Sequence, residues 1–335
     1  MSGVAYRGVQ WNPAKKRYDL VVAAAALLAL AGGTVVSALV RPDATPETAL
    51  LRSLGATAFV LLHLILGIGP LARLDRRWLP LLYNRRHLGV LTALLGTIHG
   101  TFALIQFHAL GDTNPLVSAL TAEGISARGY DLPFQPFGVG ALLILILLAA
   151  TSHDAWQAVL GPRAWKRLHL GAYVAYALLG IHVAFGALRA EPRPWLAVAV
   201  ALGALTLTSL HLLAARTDRM AAPAESRMKD GWIDAGPVSE LVEGRGSLLR
   251  HGGEKYALFL HQGAVFCVSN VCRHQLGPLS EGRIIDGCVT CPWHGYQYRP
   301  EDGRSPPPYN DRIETYPARV VDGRVVVALT PKEDR

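Results

Sequence analysis

Six segments of this chain are long and apolar enough to cross a bilayer, near 18–40, 50–71, 87–109, 134–152, 168–188 and 194–214. Hydrocarbon offers a backbone no hydrogen-bond partner, and a helix needs about 20 apolar residues to cross it. The pattern predicts an all-α six-helix transmembrane bundle within residues 1–221. Six such helices in a row leave little room for the alternative of buried helices in a soluble fold. The fourth segment is the shortest, with Pro133 and Pro136 marking its start. Residues 222–335 read differently. Short β-type runs at 257–269, 283–291 and 323–329 are punctuated by Gly, Pro, Asn and Asp, which predicts a small all-β domain with its own core. Residues 215–231, with Ala-Ala-Pro and alternating charges, read as a short hinge.

The net charge of +8 belongs to the bundle, because the β-type region carries 14 Lys and Arg against 15 Asp and Glu. Basic charge beside apolar spans points to membrane topology and away from nucleic acid. With both termini on one side, that side holds Arg7, Lys15, Lys16, Arg17, Arg73, Arg76, Arg77, Arg85, Arg86, Arg163, Lys166, Arg167, Arg216 and Arg219. The other side holds Arg41, Arg52, Arg128, Arg189 and Arg193. This positive-inside bias predicts a multi-pass protein of the bacterial inner membrane with cytoplasmic termini and a cytoplasmic β domain. Lys15-Lys16-Arg17 precedes about 23 apolar residues without a cleavage-like end, which does not read as a signal peptide. The loop 110–133 is the one long external connection and suits a lid or a short interfacial helix.

Histidine in hydrocarbon is costly unless it bonds something, and eight lie in or at the ends of these segments. His87 and His99 share the third span; His169 and His182 share the fifth. These spans run the same way. A step of 12 or 13 residues rises about 18 to 20 Å, so His99 is level with His182 nearer the outside, and His87 with His169 near the cytoplasm. Two levels of paired imidazoles suit two stacked bis-histidine b haems. The azimuths fit less well: His182 is turned about 140° from His169, and His99 about 120° from His87. They leave His99 with His182 as the favoured pair. His63, on the antiparallel second span, rivals His87 as an inner ligand. His153 and His211 lie near the inner face. His108, at the outer end, reads as an interface residue or a contact for an external acceptor.

Cys272-Arg-His274 and Cys291-Pro-Trp-His294 give two thiols and two imidazoles, one of each per loop. Two thiolates on one iron and two imidazoles on the other are the ligand set of a Rieske [2Fe-2S] cluster. A structural zinc finger would carry both histidines on one helix, and here each shares a loop with a cysteine. The chain's other cysteines, Cys267 and Cys288, read as small buried side chains, with a disulfide between them possible but not required.

Both halves resemble known families. RRHLGVLTALLGTIHG (85–100) and WKRLHLGAYVAYALLGIHVAFG (165–186) resemble the third and fifth helices of the ferric-reductase-like transmembrane domain, shared by eukaryotic ferric reductases, NADPH oxidases and a bacterial haem subunit of methionine sulfoxide reductase. The resemblance covers about residues 50–215. Arg85, Arg86, Leu88 and Gly89 precede His99 as in the bacterial haem subunit, and His169 with His182 matches the fifth-helix pair; His87 is a departure. The resemblance implies transmembrane electron transfer through haem b. In the oxidases a flavin and nicotinamide domain follows the bundle; here the Rieske motifs do. CRHQLGPLSEGRIIDGCVTCPWHGYQY (272–298) resembles both boxes of Rieske ferredoxins and of the Rieske part of ring-hydroxylating dioxygenases. High-potential Rieske proteins carry an extra disulfide, where this chain has Gly277 and Trp293, and a serine where it has Tyr296; Tyr298 matches their tyrosine. Fewer hydrogen bonds to sulfur imply a low or intermediate potential.

Together these features predict an electron-transfer oxidoreductase: a cytoplasmic donor reduces the cluster, and haems carry the electron to a quinone or a periplasmic acceptor. No catalytic acid, base or nucleophile is in evidence. The alternative is a transporter or redox sensor with a Rieske regulatory domain.

Overall fold

The computed structural model describes residues 13–82, 84–121, 133–191, 194–220, 228–229, 231–274, 276–292 and 295–331. The described residues divide into two compact units, one within 13–71 and 84–213, the other within 72–83 and 214–331.

The first unit is a helical bundle. Among the described residues, five helices are long and apolar enough to cross a membrane: α1 (Pro13–Val40), α2 (Pro46–Leu74), α3 (Arg85–His108), α5 (Arg163–Ala190) and α6 (Trp195–Met220). Between α3 and α5 lies α4 (Gln135–Ala150), at 16 residues only about 24 Å long. It occupies the expected fourth span but falls short of the hydrocarbon thickness. Its Ala141 and Leu145 pack in a core with Leu62 and Leu66 of α2, Ala93 of α3, Ala175 of α5 and Leu207 of α6. The outward residues are apolar as well, Leu20, Leu28 and Leu39 of α1 being more than two-thirds exposed. A helix apolar all round needs lipid on its free face.

Local chemistry fixes the bundle's ends. Gly161 takes φ 74° and ψ 156°, breaking the helix of the preceding turn so that α5 can start in a new direction. Trp165 Nε1 then donates to Thr151 O at 2.8 Å, tying the start of α5 to the end of α4. Beyond the other end of α5, Glu191 accepts from Arg41 at 2.6 Å and closes on the residue after α1. In the expected external loop, Pro115–Thr121 forms a short helix; 122–132 lie outside the described residues, as do 221–227 and 230 of the expected hinge, whose first six residues instead continue α6.

Among the described residues, the second unit's β domain has eleven short strands. β3 (Gly246–His251), β4 (Glu254–His261), β5 (Ala264–Ser269) and β9 (Thr315–Tyr316) form one antiparallel sheet. β1 (Met228–Lys229), β2 (Trp232–Pro237), β11 (Arg324–Ala328) and β10 (Ala318–Val321) form a second, in that order. β6 (Arg283–Ile285), β7 (Cys288–Thr290) and β8 (Gln297–Tyr298) form the third. Two of the expected runs fold back on themselves. The run 257–269 is a hairpin closed by Gln262-Gly263, and 283–291 one closed by Asp286-Gly287, all four residues at positive φ as a tight two-residue hairpin turn requires. Alternation along β4 gives its sheet two buried faces: Ala257 and Phe259 join the core that holds Cys272 and Cys291, while Tyr256 and Leu258 join the core of Leu249, Cys267, Val325 and Val327. Cys267 and Cys288 are buried and unbridged.

Candidate metal centres

In the bundle, His99 of α3 and His182 of α5 face each other with ring centroids 6.4 Å apart and planes at 89°. Metal–imidazole bonds of about 2 Å set the centroids of two rings sharing one metal atom about 6 Å apart, so the observed gap admits one. Each ring is held through Nδ1 by a backbone carbonyl 48 residues away, His99 by Leu51 O at 3.0 Å and His182 by Phe134 O at 2.9 Å. That bond fixes the tautomer with Nε2 as the lone-pair nitrogen, the form that ligates a metal. Two glycines make room for the rings. A Cβ on Gly55 would lie 2.9 Å from His99 Cε1, and one on Gly138 would lie 2.6 Å from His182 Nδ1.

The remaining candidates find separate partners. His169 stacks on Trp165 at 3.7 Å, and its Nδ1 bonds Trp165 O at 3.0 Å. Its Nε2 is buried beside the Leu148 carbonyl. His87 Nδ1 meets Asp19 Oδ1 of α1 at 2.5 Å, leaving Nε2 uncommitted. His63 is committed at both nitrogens, Nδ1 to Phe59 O at 3.0 Å and Nε2 to Tyr176 Oη at 2.8 Å, and Gly203 of α6 closes over it. His211 bonds Tyr173 and His108 bonds Ser118. Asp19, Tyr176 and the two glycines escaped the sequence reading. Asp19 alone carried a signal, an acid within an apolar span.

In the β domain the two cysteine loops lie where strands deliver them. β7 runs directly into Cys291, whose N–H donates to Tyr296 O at 2.8 Å, and β8 leaves the loop. After β5, Asn270 knits the other loop: its carbonyl accepts from Leu279 N–H at 2.9 Å and its side chain from Ser280 N–H at 2.7 Å. Cys272 N–H donates to Gly277 O at 3.0 Å. Cys272 and Cys291 are fully buried. Tyr298 Oη lies 3.3 Å from Cys272 Sγ and accepts from Arg273 N–H at 2.9 Å, which turns its own proton toward sulfur. Burial and the neighbouring Cys272 push the Tyr298 pKa far up, so it stays a donor. Tyr296 stacks on His274 at 5.0 Å with planes 11° apart, and its hydroxyl donates to Asp311. The hydroxyl at the serine's place is therefore committed to a carboxylate. His294 and Trp293 lie outside the described residues. Among the described residues no three His, Cys, Asp or Glu side chains converge on one metal ion.

A membrane-embedded bundle with facing histidines, joined to a β domain with buried cysteine loops, is the architecture of a membrane redox protein. This chain belongs to the ferric-reductase-like transmembrane family: residues 52–180 match the ferric reductase like transmembrane component, and residues 231–317 match the Rieske [2Fe-2S] domain. The protein-methionine-sulfoxide reductase heme-binding subunit MsrQ of Cronobacter sakazakii is 35% identical over 46% of this chain and 70% of its own length. Its counterpart in Ralstonia nicotianae is 36% identical over 44% of this chain, which spans 62% of that relative. The anthranilate 1,2-dioxygenase ferredoxin subunit of Burkholderia cepacia is 32% identical over 29% of this chain and 90% of its own.

Proposed function

We propose that this chain is an electron-transfer oxidoreductase of the bacterial cell membrane, moving electrons between a cytoplasmic Rieske cluster and two b haems stacked across the bilayer, toward a quinone or a periplasmic acceptor. Residues 1–221 are the haem-binding domain and 222–335 the cluster domain. His99 and His182 hold the outer haem. His169 holds the inner one with His87, because His87 keeps Nε2 uncommitted while both nitrogens of His63 are taken. Cys272 and Cys291 hold one iron of the cluster, His274 and His294 the other. When bound, these groups supply one-electron chemistry, and haems near opposite faces cover a distance that one cofactor cannot.

The chain's own residues orient and insulate. The Leu51 and Phe134 carbonyls aim two imidazoles at each other. The apolar core of the bundle keeps water out. Tyr298 directs a proton at Cys272 sulfur, while Tyr296 spends its hydroxyl on Asp311, which supports a low or intermediate cluster potential. The single observation that carries the reading is the 6.4 Å separation of His99 and His182, each held through Nδ1. The test is the reduced-minus-oxidised spectrum of the purified protein, with its haem-to-iron ratio. Sharp α and β bands with two haems per cluster are expected. Cluster absorbance alone would favour a transporter or sensor.

A further inference from the structure

Between α4 and α5 the chain leaves the bundle and returns to the point it left. Thr151, just past α4, accepts through its carbonyl from Trp165 Nε1 in the first turn of α5 at 2.8 Å, so residues 152–164 form a closed arm. Asp154 to Leu160 of this arm is helical, and the break at Gly161 separates it from α5. Trp156, Val159 and Leu160 are spaced to share one face of that helix, and they are 48%, 76% and 39% exposed. Arg163, Lys166 and Arg167 follow directly and are exposed as well. Along the sequence no acidic residue answers them: none occurs from 155 to 190.

The depth of the arm follows from the length of α4. That helix is about 24 Å long against a hydrocarbon core of about 30 Å. Its end therefore lies at or below the headgroup boundary, and the arm begins there and not in bulk water. Apolar exposure continues into both flanking spans, at Leu147 of α4 and Leu170 of α5. A tryptophan and two aliphatic side chains on one face, with cations beside them, lie in the plane of the interface and attract anionic lipid. We propose that residues 152–167 form an interfacial anchor: Trp156, Val159 and Leu160 enter the acyl boundary of the cytoplasmic leaflet, and Arg163, Lys166 and Arg167 hold the headgroup of an anionic phospholipid. Lipid is the occupant because the apolar face joins spans that already face lipid, and because the adjoining cations call for negative charge. The proposal rests on the membrane placement and orientation proposed above and involves no haem. The anchor makes up for the length that α4 lacks and fixes the junction from which α5 starts.

The experiment mixes the full chain in detergent with equal amounts of phosphatidylglycerol and phosphatidylcholine and counts retained lipid by native mass spectrometry. Phosphatidylglycerol should be retained in preference. Each basic residue beside an anionic surface contributes about fivefold, so replacing Arg163, Lys166 and Arg167 together by Gln should weaken phosphatidylglycerol binding about a hundredfold. Phosphatidylcholine binding should not change. Arg163→Lys with Arg167→Lys, which keeps the charges, should bind as wild type does. Equal retention of the two lipids by wild type, or unchanged phosphatidylglycerol binding in the triple variant, overturns the proposal. A second arm, in phosphatidylglycerol nanodiscs, leaves the cations intact. A nitroxide on Val159→Cys should relax more with oxygen than with a water-soluble nickel chelate, and so should one on Leu28→Cys of α1, a position 73% exposed. The four native cysteines are buried, which leaves the introduced thiol as the one that reacts. A label at 159 that answers to nickel, while the label at 28 answers to oxygen, overturns the anchor and hands the face to a protein surface, with the spans left standing. Both labels answering to nickel would remove the membrane placement itself.

Discussion

His99 and His182 meet at right angles, 89° between ring planes, each pinned by a main-chain carbonyl from a different helix end. Perpendicular imidazoles on one haem iron leave its two π-type d orbitals nearly degenerate. The outer haem should therefore give a strongly anisotropic low-spin EPR signal. Replacing either histidine by Ala should remove that signal and lower the haem content from two to one per cluster. Retention of both haems in either variant would refute the pairing.

The glycines beside this pair offer a sharper probe. Gly138→Ala places a methyl group 2.6 Å from His182 Nδ1, against a ring already held by Phe134 O. The ring must move, at a cost of about 1–3 kcal/mol for overpacking. Gly180→Ala, on the same helix as His182, meets nothing within 4 Å. The expected result is a shifted or lost outer-haem α band in Gly138→Ala and a wild-type spectrum in Gly180→Ala.

His63 and His87 are distinguished by their partners. His63→Ala should keep both haems, since its nitrogens serve Phe59 and Tyr176. His87→Ala should lose the inner haem, and Asp19→Asn should raise its potential, because a carboxylate on Nδ1 makes the ligand more basic and favours ferric iron. Haem counts by pyridine haemochrome decide between them, and the opposite pattern would hand the role to His63.

In the cluster domain, Tyr298→Phe deletes the hydroxyl that lies against Cys272 sulfur. A hydrogen bond to sulfur favours the more negative, reduced cluster, so its loss should lower the potential. A differential of about 1 kcal/mol corresponds to about 40 mV for one electron. An EPR-monitored titration of the cluster reads this directly; a rise would contradict the geometry.

Asp234 of β2 accepts from Arg324 of β11 at 2.7 Å and from Gly236 N–H at 2.9 Å, contacts that hold its carboxyl below the usual range. A depressed folded pKa gives stability that is complete above the unfolded value of about 3.9 and disappears as pH falls through the folded value. Asp234→Asn should therefore weaken the cluster domain at neutral pH and flatten its loss of stability in acid. The pair is exposed, so the change should be small. Thermal melts of the full chain from pH 7 to pH 2.5, followed by cluster absorbance, measure both effects.

Much of this chain was legible before any coordinates. The paired cysteines and histidines proposed to hold the cluster lie two and three positions apart, so their spacing is local and survives as a written motif. Apolar spans are legible because lipid forbids anything else. Even the common height of His99 and His182 follows from a fixed rise per residue. The azimuths were another matter. A count at 100° per residue fits a straight helix, while the break at Gly161 and the packing of α4 between α3 and α5 set where each face points. The β runs were legible as strands, but the hairpins at Gln262-Gly263 and Asp286-Gly287 turned two of them into four.

By itself, then, the sequence determined which residues are chemically able to bind metal and at what depth they lie, because composition, spacing and rise are properties of the chain alone. Only tertiary structure decided which of them meet. Leu51 and Phe134 hold their histidines from 48 positions away, Asp19 reaches His87 across 68, and Tyr176 takes up His63 across 113. Contacts between distant positions depend on helix rotation and packing, and those are settled by the whole bundle at once.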